Sequence, residues 1–188
     1  MTAATAKVRG SAAVVAGGIA AVLLVSALLL PWPAAVASAM LGTLMIVGAD
    51  VDARTFLLPD MVTLGATACG ILAAALLDPF APWSAAGAAA ARAAASALAL
   101  LLVGYAYAAL RRRDGLGFGD VKLAAAVGAW LPLDVIPLCF ALATGAALIA
   151  VAIARLRGNA IDAVTRLPFG AFLCPALWLV FYASVLPG

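Results

Sequence analysis

The sequence predicts an all-α integral membrane protein, a bundle of six to seven transmembrane helices. Three observations carry this. Of the 188 residues, 68% are hydrophobic and 10% charged, whereas soluble domains carry roughly a quarter charged residues. With a mean hydropathy of +1.21, too little polar surface exists to cover a soluble core. Seven apolar stretches occur, at 11–30, 34–51, 60–77, 88–110, 120–132, 134–156 and 169–187, and most approach the ~20 residues that cross a hydrocarbon core. Finally, the basic residues gather on one side when these stretches alternate across a bilayer. The expectation is one polytopic domain over residues 1–188.

Each stretch has its own signals. The first follows Lys7 and Arg9, as a signal peptide would, but it is long and further spans follow at once, so it reads as a retained helix. The second ends in "LGTLMIVGADVDARTF" and the third begins at "LLPD". In the fourth, residues 84–98 are nearly pure alanine, a surface on which helices approach closely in lipid. The fifth is short and abuts Pro132, which suits a partial or tilted span. The sixth and seventh follow Asp134 and "RLPFG".

With the N-terminus in the cytoplasm, Lys7, Arg9, Arg54, Arg111, Arg112, Arg113, Lys122, Arg155, Arg157 and Arg166 share the cytoplasmic side, and Arg92 alone lands near the far side. This obeys the positive-inside rule. The net charge of +3 gives no reason to expect nucleic acid, because the basic residues lie in short inter-helix loops. Arg111 to Arg113 are expected to meet anionic lipid headgroups.

Cys69, Cys139 and Cys174 each lie in an apolar run, with no CxxC and no histidine in the chain. A Cys/His zinc site has no ligand set, and Ser-His or Cys-His nucleophilic catalysis is excluded. The cysteines read as small buried hydrophobes.

The acidic complement is eight aspartates and no glutamate. Ionisable groups in spans are costly and commonly functional. Asp60 and Asp134 precede apolar runs and read as helix N-caps. Asp78 and Asp162 fall in polar loops. Asp50 and Asp52 end the second helix; two residues apart, they point ~200° apart, so one of them faces the bundle interior. Asp120 opens the fifth helix on the same side of the membrane. Two carboxylates from separate helices thus reach one face, as a two-carboxylate hydrolytic site requires. "GLGFGD" places Gly115, Gly117 and Gly119 before Asp120, and such a loop allows close backbone approach. No Gly-Lys-Ser/Thr follows, which argues against a P-loop.

"VDARTFLLPDMVTL" (51–64), "GLGFGDVKLAAAVGAW" (115–130) and "RLPFGAFL" (166–173) together resemble the bacterial type IV prepilin peptidases, which are GxGD-type intramembrane aspartic peptidases. The resemblance covers residues 15–185 in the family's order. It implies that Asp52 and Asp120 are the catalytic pair, Asp52 lying eight residues before the aspartate of "LLPD". Gly117 and Gly119 would shape the substrate loop. Lys122, Asp60, and Pro168 and Gly170 of "LPFG" would support the site, with Lys122 otherwise a snorkelling lysine. Many members carry a cytoplasmic insert with paired CxxC motifs, associated with methylating the new pilin N-terminus. No such motif occurs here, so the resemblance extends to peptidase activity and not to methyl transfer.

The implied substrates are prepilin or pseudopilin precursors, cut after a glycine where a short basic leader meets a long apolar segment. The chemistry needs no metal or organic cofactor. Two adjacent carboxylates do not readily both ionise, so they would share a proton and activate water. Helix polarity suggests Asp120 as the anionic base and Asp52 as the protonated acid. The competing readings are a small transporter or proton pathway, whose aspartates would lie at mid-membrane, and an inactive membrane subunit.

Overall fold

The computed structural model describes residues 2–111, 117–157 and 167–186. Within them the chain forms seven helices and no strand: α1 (Thr2–Leu29), α2 (Trp32–Thr55), α3 (Asp60–Leu77), α4 (Pro82–Arg111), α5 (Phe118–Trp130), α6 (Ile136–Leu156) and α7 (Gly170–Val185). The protein is an all-α membrane bundle. α1, α2, α3, α4 and α6 are long and apolar enough to cross a bilayer, and α7 is a shorter apolar helix. The fifth stretch is, as its length suggested, a short helix of 13 residues.

α5 is nevertheless the centre of the bundle. It packs against α3, α4 and α7. Leu123, Ala124, Ala126 and Val127 have no accessible surface. Trp130 anchors its far end: the indole N–H donates to the Ala66 carbonyl at 2.7 Å, and the ring meets Phe181 edge-on at 5.0 Å. Gly70 makes room for that indole, since a Cβ there would lie 2.8 Å from it. A second seam joins α2 to α7 through the fully buried Leu41, Met45, Leu173 and Leu177. α1 is tied to both by a buried polar chain, in which the Trp178 indole donates to Ser38 Oγ at 3.1 Å and Ser38 meets Ser26 at 2.9 Å.

The alanine-rich tract packs through a narrow stripe, Ala89, Ala93 and Ser96, and most of the other alanines are exposed. Arg92 lies inside α4. α4 begins six residues earlier than expected, and the Arg92 Nε–H donates to the carbonyls of Gly128 (3.3 Å) and Leu131 (3.0 Å). It satisfies orphan carbonyls at the C-terminus of α5. Cys139 and Cys174 are buried, Cys69 is partly buried, and all three are free thiols.

Successive helices alternate in direction. The C-termini of α2, α4 and α6 and the N-termini of α3, α5 and α7 therefore share one end of the bundle, here called the near end. Arg54, Arg111, Arg155 and Arg157 lie there with Lys122. Arg112, Arg113, Arg166, Asp114, Gly115 and Asp162 fall outside the described residues.

Candidate active site

α2 continues past the expected boundary to Thr55, so both Asp50 and Asp52 are helical. The helix decides between them. Asp50 faces outward and pairs with Arg54 one turn on, Nε to Oδ1 3.1 Å. Asp52 faces inward and is 5% exposed. The turn carrying Asp52 is closed by Phe56, whose amide donates to the Asp52 carbonyl at 2.9 Å. Phe56 holds φ 55°, a left-handed C-cap position that glycine fills at lower cost.

Asp52 Oδ2 accepts the amide of Ala171 at 2.8 Å, and the Gly170 amide also faces this carboxylate. The Ala171 amide is shared with the Pro168 carbonyl at 3.2 Å. The first turn of α7 thus grips a carboxylate presented by α2. A helix N-terminus commonly receives an acidic group in this way; here the group belongs to another helix. Gly170 permits it, because a Cβ there would fall 2.9 Å from Asp52 Oδ2.

Asp120 is held in a parallel way. Gly117 is the N-cap of α5, which puts Asp120 at the third helical position. Its carboxylate folds back over Gly117, 3.2 Å from where a Cβ would stand, and the Gly117 amide faces it. That is the returning half of a capping box. Gly117 itself has φ −74° and ψ 139°, so it is needed for close approach and not for a left-handed backbone.

Asp52 and Asp120 are close enough for the charge of one to act on the other. Cys174 is buried one turn of α2 away, its Sγ 3.2 Å from where a Cβ on Gly48 would stand. Leu58 bridges the two halves. A Cβ on Gly119 would stand 3.2 Å from Leu58 Cβ, and one on Gly170 would stand 2.6 Å from Leu58 Cδ1. Leu58 thus wedges the N-terminus of α5 against that of α7. Sequence reasoning gave it no role, although it sits in "LLPD" between Asp52 and Asp60. The Ala171 amide was missed too, because no side-chain motif announces a backbone donor.

The other expected residues sort as follows. Asp60 is the first residue of α3, behind Pro59; its carboxylate accepts Lys122 Nζ at 2.6 Å, which replaces the simple cap reading. Lys122 therefore points away from Asp120, towards α3, with its ammonium 5.1 Å from the Phe118 ring centre. Asp134 is not a cap either: α6 is preceded by Val135, with no side-chain cap bond. Asp78 Oδ1 accepts the amides of Phe80 (3.1 Å) and Ala81 (3.0 Å) in the α3–α4 loop. Asp52 lies in the last turn of α2 and also accepts an amide from the first turn of α7, so the two helix ends act on its charge in opposite directions.

The profile of the type IV leader peptidase family matches residues 39–154. That interval contains Asp52, Asp60, Gly117, Gly119, Asp120 and Lys122 and stops short of Pro168 and Gly170. Leader peptidase HopD of Escherichia coli is 32% identical over 137 residues, 73% of this chain and 86% of that protein. The prepilin leader peptidase/N-methyltransferase of Dickeya chrysanthemi is 38% identical over 104 residues, 53% of this chain and 35% of that protein. Its counterpart in Pseudomonas putida is 31% identical over 130 residues, 69% of this chain and 43% of that protein. The chain thus spans less than half the length of these two N-methyltransferase-bearing relatives. No solved structure matches it. With the family profile covering more than half of the chain, and with a relative of similar size matched over most of both lengths, this protein belongs to the type IV leader peptidase family.

Proposed function

We propose that this peptidase is an aspartic endopeptidase that removes the leader from prepilin or pseudopilin-like precursors at the cytoplasmic face of a bacterial inner membrane. The observation that carries this reading is the pairing of Asp52 and Asp120 from helices far apart in sequence. Each is held by a backbone amide, and each lies within one turn of a helix end. A transporter would hold its carboxylates at mid-membrane. The clustering of Arg54, Arg111, Lys122, Arg155 and Arg157 at the near end supports a cytoplasmic site.

In this mechanism the two carboxylates share one proton. The anionic member draws a proton from a water between them, and the protonated member polarises the scissile carbonyl. The titration belongs to the pair. The water oxygen adds to the carbonyl carbon, and the resulting tetrahedral intermediate loses its C–N bond as the departing amine takes the proton that the base drew from water, leaving a new carboxyl terminus. The near-end position lets the site reach the junction of a polar leader with an apolar segment that stays in lipid.

The test is co-expression with an epitope-tagged prepilin. Wild-type protein should convert precursor to mature pilin, while Asp52→Asn and Asp120→Asn should each leave it uncut at normal membrane levels. Full conversion by either variant would end the proposal.

A further inference from the structure

α2 carries Asp52 and α5 carries Asp120, yet these two helices make at most marginal contact with each other. Each packs on α3 and on α7 instead. The separation of the carboxylates is therefore set by what fills the space between the helix ends. Leu58 lies in that space and faces all three helices concerned. A Cβ on Gly48 of α2 would stand 3.8 Å from Leu58 Cδ2, one on Gly119 of α5 3.2 Å from Leu58 Cβ, and one on Gly170 of α7 2.6 Å from Leu58 Cδ1. Gly48 is one turn before Asp52, and Gly119 immediately precedes Asp120. Gly170 immediately precedes Ala171, whose amide donates to Asp52. Glycines from three helices thus close round one leucine, each beside a group that holds or presents a carboxylate.

The connector that carries Leu58 is short and tied at both ends. Phe56 closes α2, its amide on the Asp52 carbonyl at 2.9 Å. The Leu57 amide donates to Thr55 Oγ1 at 3.3 Å. Pro59 opens α3, and its carbonyl accepts the amides of Val62 (3.0 Å) and Thr63 (3.2 Å). A residue before proline is held to extended backbone, which narrows the directions open to Leu58. Leu57 beside it is 72% exposed, whereas Leu58 is partly buried and packs on the core.

We infer that Leu58 is a positioning residue of the two-carboxylate site, a spacer that sets how far the Asp52 end of α2 stands from the Asp120 end of α5. This rests on the proposed leader-peptidase reading and adds a group that acts through the aspartates without touching the reacting atoms. An aliphatic side chain suits the task. Packed interiors are barely compressible and transmit strain, and leucine brings no charge to the pair. Truncating it leaves a void into which the surrounding structure relaxes only in part. The first turns of α5 and α7 border that void, so their relaxation moves Asp120 relative to Asp52. The loss then falls on the chemical step and not on substrate binding.

Two measurements test it. The first is steady-state cleavage of a peptide spanning the leader junction. Leu58→Ala should lower kcat about 100-fold, as an ångström-scale misplacement does, with KM within about threefold of wild type. Leu58→Met conserves volume and should keep kcat within about fivefold. Leu41→Ala opens a void in the α2–α7 seam, where Leu41 is fully buried, about 16 Å along α2 from Asp52. It should lower the thermal midpoint and keep kcat per folded molecule within about threefold. Equal kcat losses in Leu58→Ala and Leu41→Ala, or a wild-type kcat in Leu58→Ala, overturn the inference. The second measurement needs no turnover. Spin labels are placed at Ala53→Cys and Phe118→Cys, both exposed and beside the aspartates, with Cys69→Ala removing the one partly exposed native thiol. Leu58→Ala should shift or broaden the label separation by at least about 1 Å, and Leu58→Met should not. An unchanged separation in Leu58→Ala overturns the inference. Cleavage by Asp52→Asn or Asp120→Asn would strike the leader-peptidase reading, while the label separation still decides the spacer.

Discussion

The amide of Ala171 donates a 2.8 Å hydrogen bond to Asp52 Oδ2 across 119 residues of sequence, so the first turn of α7 sets where the buried carboxylate of α2 stands. Gly170 is the residue that allows this approach. In Gly170→Ala the new Cβ would crowd both Asp52 Oδ2, at 2.9 Å, and Leu58 Cδ1, at 2.6 Å. If Asp52 acts as proposed, a displacement of this kind costs about 100-fold in rate. We expect prepilin cleavage to fall by about that factor with membrane insertion intact. Gly145→Ala, where no atom lies within 4 Å, should cleave like wild type.

Asp50 and Asp52 offer a matched pair on one helix. Asp50 bonds Arg54 at the surface, and exposed ion pairs contribute ~0–1 kcal/mol. Asp50→Asn should therefore change the cleavage rate by no more than about fivefold. Asp52→Asn should lower it by about 10²- to 10⁴-fold, the range of a lost acid–base group. Pulse-chase conversion of precursor distinguishes the two.

Lys122 and Asp60 join the first turns of α5 and α3. Their side chains are 25% and 63% exposed, so the pair should contribute ~1 kcal/mol or less. Asp60→Lys and Lys122→Asp are each expected to slow cleavage severalfold by loosening the N-terminus of α5. The double exchange should recover most of the loss. A double-mutant cycle with no coupling would mean that the contact does not help to position Asp120.

At the other end of α5, Gly128→Ala would drive a Cβ to within 2.3 Å of the Arg92 carbonyl. Overpacking of this kind costs ~1–3 kcal/mol. Arg92→Met removes the donor to the Gly128 and Leu131 carbonyls, and hydrogen bonds to charged groups contribute ~1.5–3 kcal/mol. Both variants should lower the thermal midpoint in detergent, and Arg92→Met should do so without altering KM for a short junction peptide.

Much of this was legible in the chain. Runs of apolar residues near bilayer length located the helices, because lipid requires each span to satisfy its own backbone. The start of α3 and the ends of α3 and α6 were read to the residue, whereas α2 and α4 proved longer, since their helices run on through polar and charged residues such as Asp52, Arg54, Ser84 and Arg111 that end an apolar run without ending a helix. The periodicity of α2 showed that Asp50 and Asp52 face apart, but not which faces in. Asp60 and Asp134 read as caps because a carboxylate before an apolar run has that signature. In the fold Lys122 reaches Asp60 instead, and the turn at 133–135 leaves Asp134 without a cap bond.

The sequence by itself determined the membrane class, the helix order and the presence of acidic residues at the ends of α2 and α5, because hydropathy and helical period are local properties. Tertiary structure alone decided that α7 delivers its amides to Asp52, that Leu58 fills the space between Gly119 and Gly170, and that α4 and α6 stand apart beside α5. Those are contacts between segments up to 119 residues apart. They follow from how seven helices fill one volume, which no single segment encodes.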